Sequence, residues 1–185
     1  MSLFEFLMVL VSLIIGFGLA ELLSGIARTI RNIESVTVYW VHSVFIAVIY
    51  LALLQTWWEI WEVRATPSWT FIGLLVMLGG PVGLFLVSHL VFPDQLQGAN
   101  LKSFYYEKMT PVFWVGVLTV VASASFRPLI LGTDLFALDN LSSFLLIGVF
   151  VLMARIKNEV FHSLMVVLVF LAILADILLV NMEIQ

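Results

Sequence analysis

The chain has three histidines, His42, His89 and His162, and each stands within a few residues of the end of a long apolar run, as does Glu21. An unperturbed imidazole titrates at about pH 6.5, so histidine is suited to passing protons or holding a cation. Three imidazoles and a carboxylate at one depth would bound a polar, cytoplasm-facing cavity. The competing reading is that each separately touches headgroups, water or a backbone carbonyl. Spacing favours no metal, because the four residues come from four different runs. A second set lies at the opposite depth. Gln55, Glu59 and Glu62 form a stripe at helical spacing, with Arg127 and Asp176 contributed by other runs. Ionisable groups within membrane helices are costly and default to functional hypotheses. Arg127 beside Glu59 or Asp176 reads as an ion-pair clasp, and the whole set reads alternatively as a vestibule or ion path. Trp57-Trp58-x-x-Trp61 beside the acids reads as an interfacial aromatic belt, with a cation–aromatic cage as the alternative.

Composition says what must hold these groups. The chain is 63% hydrophobic and 11% charged, where about a quarter charged is usual, and mean hydropathy is +1.16. Lipid must be the solvent for most of its surface. A spanning helix needs about 20 mostly apolar residues. Six segments meet or approach that length, at roughly 3–27, 38–62, 69–92, 110–131, 138–155 and 160–181. The fifth is the shortest apolar run. Helix is the form that satisfies backbone groups inside the segment, and none of the six shows the alternation of a β-barrel strand. The expectation is an all-α polytopic transmembrane bundle, with residues 1–185 as one domain. The first segment has no Lys or Arg before it and is too long for a signal-peptide h-region, so it should remain as a membrane helix.

Basic residues favour the cytoplasmic side. With six crossings, Arg28, Arg31, Lys102, Lys108, Arg155 and Lys157 share one side and Arg64 and Arg127 the other, which accounts for all eight. Both termini are therefore expected outside, periplasmic in a bacterial cell. The longest connection, 93–109, carries apolar and aromatic residues among polar ones and is expected to lie along the interface as a short amphipathic helix.

Several classes of chemistry are excluded. There are no cysteines, hence no disulfide, thiolate metal site or thiol nucleophile. No nucleotide-binding, zinc-protease or nucleophile-elbow motif occurs. The net charge of −4 forms no basic patch for nucleic acid. Two stretches have mechanical meaning. Ser12, Gly16, Ala20 and Ser24 form a stripe of small residues at four-residue spacing, expected to make the first helix's closest helix contact within or between subunits. Gly79-Gly80-Pro81-Val82-Gly83 at mid-membrane is expected to kink or unwind the third segment.

The run Ser2-Leu3-Phe4-Glu5-Phe6, then Gly16-x-Gly18, Glu21-Leu22-Leu23-Ser24-Gly25, Tyr39-Trp40-x-His42 and Trp57-Trp58-x-x-Trp61-Glu62, resembles a group of short, functionally uncharacterised bacterial polytopic inner-membrane proteins. The resemblance covers mainly residues 1–92. It implies a bacterial membrane and carries over no activity and no catalytic residue.

Three functions stay open at this level. One is an oligomeric proton or ion channel, or a small transporter subunit. The second is a non-catalytic structural or regulatory subunit binding another membrane protein or lipid. The third is a redox subunit in which two histidines hold a haem b. An enzyme acting on lipid is more remote. No cofactor is expected, and the expected partners are the bilayer and either further copies of the chain or another membrane protein.

Overall fold

The structure, a computed structural model, describes residues 3–65, 69–134 and 140–179. Seven α-helices form among them: α1 (Leu3–Arg31), α2 (Trp40–Glu59), α3 (Phe71–Leu90), α4 (Leu101–Lys108), α5 (Thr110–Leu131), α6 (Leu141–Arg155) and α7 (Glu159–Leu179). A 3-10 turn, Ile60–Ala65, extends α2. The all-α expectation holds. Among the described residues, extended pairing is limited to one isolated bridge between Thr37 and Asn100.

Five of the helices, α1, α2 with its extension, α3, α5 and α7, are long and apolar enough to span a bilayer. Six segments were expected to span; five reach that length, and α6 falls short of it. Helix α6 has 15 residues, about 22 Å at 1.5 Å per residue, against a hydrocarbon core of about 30 Å. Residues 138 and 139 of the expected fifth segment lie outside the described residues, as do 180 and 181 of the sixth.

Local chemistry sets the helix ends. Thr70 Oγ1 accepts from the Gly73 amide and caps α3. Asn100 Oδ1 accepts from the Lys102 and Ser103 amides and caps α4. Gly132, at φ 68° in the left-handed region, stops α5 as glycine commonly does. The expected interfacial helix in the long connection is α4. Its Leu101, Tyr105 and Met109, four residues apart, turn inward and are buried.

Helix α3 lies between α1 and α5; α5 also packs on α6, and α2 joins α1, α3 and α7. The glycine cluster explains the α3–α5 contact. A Cβ added to Gly83 would sit 2.1 Å from Thr119 Oγ1, one on Gly80 2.6 Å from Ser123 Oγ, and one on Gly79 2.8 Å from Ala122 Cβ. No side chain larger than hydrogen fits there, so the two backbones approach closely, the main means of association where apolar burial gives no drive. The expected unwinding is therefore corrected: α3 runs as one helix through Pro81, and the glycines serve packing.

The within-chain form of the small-residue stripe contact is corrected. Ser12, Gly16, Ala20 and Ser24 are exposed on the outside of the chain, and a Cβ on Gly16 would meet nothing within 4 Å. The close contacts of α1 are made instead by Gly18, against Leu53 and Phe85, and by Gly25, against the Phe92 ring. The outward faces of the bundle are apolar. On α7, Val160, Leu164, Leu168, Leu171 and Leu178 are all exposed, a surface that fits lipid rather than water.

These contacts separate two glycines with similar sequence surroundings. Gly83→Ala forces the α3 and α5 backbones apart and is expected to lower stability in detergent by about 1–3 kcal/mol, the usual range for overpacking. Gly16→Ala should stay within about 0.5 kcal/mol of the parent, as is usual at open surface sites. Thermal unfolding of the two variants side by side checks this.

Candidate functional site

The basic-rich end of the bundle is organised around Tyr105. Its ring, 1% exposed, meets the rings of Tyr39 at 5.6 Å, Tyr106 at 5.2 Å, Phe113 at 5.9 Å, His42 at 6.1 Å and His162 at 5.3 Å, all edge-on, an arrangement aromatic pairs favour. The amphipathic pattern of α4 drives Tyr105 inward, and α4 is held by backbone bonds from Thr37 N to Ala99 O and from Leu101 N to Thr37 O. Lys102 Nζ reaches Glu159 Oε2 at 2.7 Å and ties α4 to the start of α7.

Hydrogen bonds assign the His162 tautomer. Its Nε2 lies 2.7 Å from the Ile156 carbonyl, which only accepts, so Nε2 carries the proton. Nδ1 then accepts from the Tyr105 hydroxyl at 3.1 Å. His42 Nε2 likewise donates to the Val91 carbonyl at 2.8 Å, at the C-terminal end of α3, while its buried Nδ1 has no partner among the described residues. Tyr39 and Tyr106 share a hydrogen bond of 2.9 Å. Burial pushes the Tyr105 hydroxyl well above the ordinary tyrosine range, helped by Tyr106 and Tyr39. Burial, then the bond to Tyr39, does the same for Tyr106. The Glu159 contact raises the Lys102 ammonium.

The four residues expected to share a cavity thus fall into two environments. His42 and His162 sit inside the aromatic cluster, 0% and 2% exposed. Glu21 and His89 lie on the outside of α1 and α3, 3.5 Å apart and substantially exposed, and they line an open pocket with Ser24, Arg28 and Asp94. Depth brings the four to one end, but helix rotation separates them. The paired-histidine haem arrangement meets a chemical obstacle too, because both ring nitrogens of His162 are already engaged. Among the described residues no three of His, Asp and Glu converge as a metal-ligand group.

At the opposite end, the Gln55 amide of α2 donates to Glu59 Oε1 at 3.0 Å and to Asp176 Oδ2 of α7. Arg127 at the end of α5 pairs with Glu62 Oε2 at 2.7 Å. The expected partner of Arg127 is corrected accordingly. The direct ion pair is with Glu62, which the 3-10 turn after α2 carries out toward α5, rather than with Glu59 or Asp176; Gln55 bonds both of those acids, and the Arg127 charge still acts on Glu59. Trp57 Nε1 donates to Ser12 Oγ at 3.0 Å, and Trp61 stacks edge-on with Phe4 at 5.8 Å, so both tryptophans join α1 to α2.

The residue that sequence reasoning missed is Tyr105, one of the aromatic residues of the 93–109 connection. Its signal was present in the spacing of Leu101, Tyr105 and Met109. Comparison with known proteins found no matching family model, no matching curated protein and no matching solved structure.

Tyr105→Phe removes the donor to a buried imidazole nitrogen and is expected to cost about 1–3 kcal/mol near neutral pH. The pH dependence follows from the raised hydroxyl. An unfolded tyrosine ionises near pH 10, whereas the buried one keeps its proton. Its stabilising contribution is therefore complete below about pH 10 and falls as pH rises above that value. Melting temperature followed from about pH 9 to about pH 11 should drop more steeply in the parent than in Tyr105→Phe.

Proposed function

We propose that the protein is a non-catalytic structural or regulatory subunit of a bacterial inner membrane that binds another membrane protein or lipid. The observation that carries this reading is how its polar side chains are used. Glu21–His89 joins α1 to α3, His42 caps α3, His162 joins α7 to α4, Gln55–Asp176 joins α2 to α7, and Arg127–Glu62 joins α5 to the end of α2. Each acts as a tie between elements. Exposed faces of α1 and α7 are left for lipid or a partner, and further copies of the chain are a candidate partner along α1.

In this reading the chain crosses six times, with α6 as a short crossing and both termini periplasmic. Arg155, at the end of α6, lies 5.5 Å over the ring of Trp114 at the start of α5. Helix α6 therefore returns alongside α5 to the basic-rich end. The resemblance of residues 1–92 supports a bacterial inner membrane, and the six-to-two division of basic residues supports the orientation.

A second reading, an oligomeric proton or ion channel or transporter subunit, is favoured by the Gln55 amide shared between Glu59 and Asp176. Two carboxylates held together in the spanning helices are a plausible stepping point for a cation.

Two measurements test the proposal. With no native cysteine, single cysteines at Asn32, Thr133 and Lys157 report sidedness. Asn32 and Lys157 should label from the cytoplasmic side and Thr133 from the periplasmic side. Thr133 and Lys157 labelling from one side would remove the α6 crossing. In reconstituted liposomes, proton flux should not exceed that of protein-free vesicles. Flux abolished by Glu59→Gln or Asp176→Asn would replace the structural reading with the second.

A further inference from the structure

The Arg28 guanidinium has no hydrogen bond or ion pair among the described residues, and its Nε is buried. It stands between two adjoining open pockets of about 430 and 320 Å³ and lines both. Gln95 and Gln97 line the first, Glu21 and His89 the second, and Asp94 lines both. No ion pair joins Asp94 to Arg28, although they share both pockets. The site therefore sets an unpaired guanidinium beside Gln95 and Gln97 in one pocket and Glu21 in the other, with Asp94 lining both.

We infer that these pockets hold the phosphoethanolamine headgroup of a membrane phospholipid. Guanidinium binds phosphate oxygens in a bidentate fork, and basic pockets between membrane helices bind phospholipid headgroups. A purely anionic headgroup would face the Asp94 and Glu21 carboxylates as well as Arg28. A zwitterionic headgroup places phosphate on Arg28 and the Gln95 and Gln97 amides, and its primary ammonium donates to Asp94 and Glu21. A quaternary choline ammonium has no N–H to donate there. Beyond Ser24 on the same face of α1, Ala20 is exposed and a Cβ on Gly16 would meet nothing within 4 Å. From Ser24 to Ser12 is about 18 Å of helix, close to the ~15 Å depth of one leaflet's hydrocarbon. The exposed face at Ala20 and Gly16, ending at the Ser12 that Trp57 holds, is thus a bed for an acyl chain.

This inference rests on the reading of the chain as a lipid- or partner-binding membrane subunit. The test uses the full chain, delipidated in detergent, with native mass spectrometry and thermal unfolding. The probes are phosphatidylethanolamine, phosphatidylglycerol and phosphatidylcholine of matched acyl chains, with glycerophosphoethanolamine and inorganic phosphate as tail-less controls. Phosphatidylethanolamine should be retained about tenfold better than phosphatidylcholine, the scale of one charge-assisted hydrogen bond. Arg28→Gln should remove that retention, and Asp94→Asn should shift preference toward phosphatidylglycerol with the parent's melting temperature kept. Equal retention of the ethanolamine and choline lipids, preference of the parent for phosphatidylglycerol, or unchanged retention in Arg28→Gln would overturn the inference. Tail-less compounds binding as well as the lipid would overturn a membrane source for the phosphate. Ion flux in liposomes bears on the subunit reading alone and leaves headgroup selectivity to be judged separately.

Discussion

Hydrocarbon supplies no hydrogen-bond partner, so a chain with this composition has to satisfy its polar groups within itself or carry them to the headgroup level. That constraint divides the molecule along its length. In the middle, α1, α3 and α5 meet through glycines and small side chains, with Gly18 against Leu53 and Gly79, Gly80 and Gly83 against the Thr119–Ser123 face of α5. At the two ends, charged and hydroxyl groups tie helices together. The Tyr105–His162 bond and the Lys102–Glu159 pair close one end, and the Gln55–Asp176 bond and the Arg127–Glu62 pair close the other.

The two kinds of contact depend on one another. Dispersion between glycine-lined backbones falls away steeply with distance, so the α3–α5 approach lasts only while the ends keep the helices in register. The end ties work because partners are held within hydrogen-bond reach, which close packing in the middle enforces. The aromatic cluster around Tyr105 is the stiffest of these junctions, because it gathers α2, α4, α5 and α7 around one buried ring. Helix α7 contrasts with it. It touches mainly α2, and its exposed leucines leave it as the loosest spanning element and the one most open to lipid or a neighbour.

This arrangement changes the meaning of the histidines. A histidine near a membrane boundary invites a proton-relay reading, and a chain of imidazoles would need mutual contact or linking water. Here His42 and His162 each spend Nε2 on a backbone carbonyl left over at a helix end or in the adjoining turn, where such carbonyls lack an intrahelical partner. His89 instead serves Glu21 in the open. Among the described residues Arg28 keeps a buried Nε without a partner, and in sequence it was only one of six basic residues expected to share one side.

The sequence by itself determined the apolar character that suits lipid, the helical class and the approximate limits of each long helix. All of these depend on hydropathy and spacing along one chain. Rotation about each helix axis was decided by tertiary packing. Gly16 and Gly18 lie two residues apart, about 200° around a helix, so one faces open space and the other a neighbouring helix, and nothing local distinguishes them. Likewise Glu21 and His42 share a depth but not a side. Whether Arg127 meets Glu59, Glu62 or Asp176 depended on how the 3-10 turn after α2 swings, a matter of a few ångströms that no pattern in the chain encodes. Helix α6 stands between the two cases. Its apolar run was legible, and its 15 residues leave its crossing to be set by the helices around it.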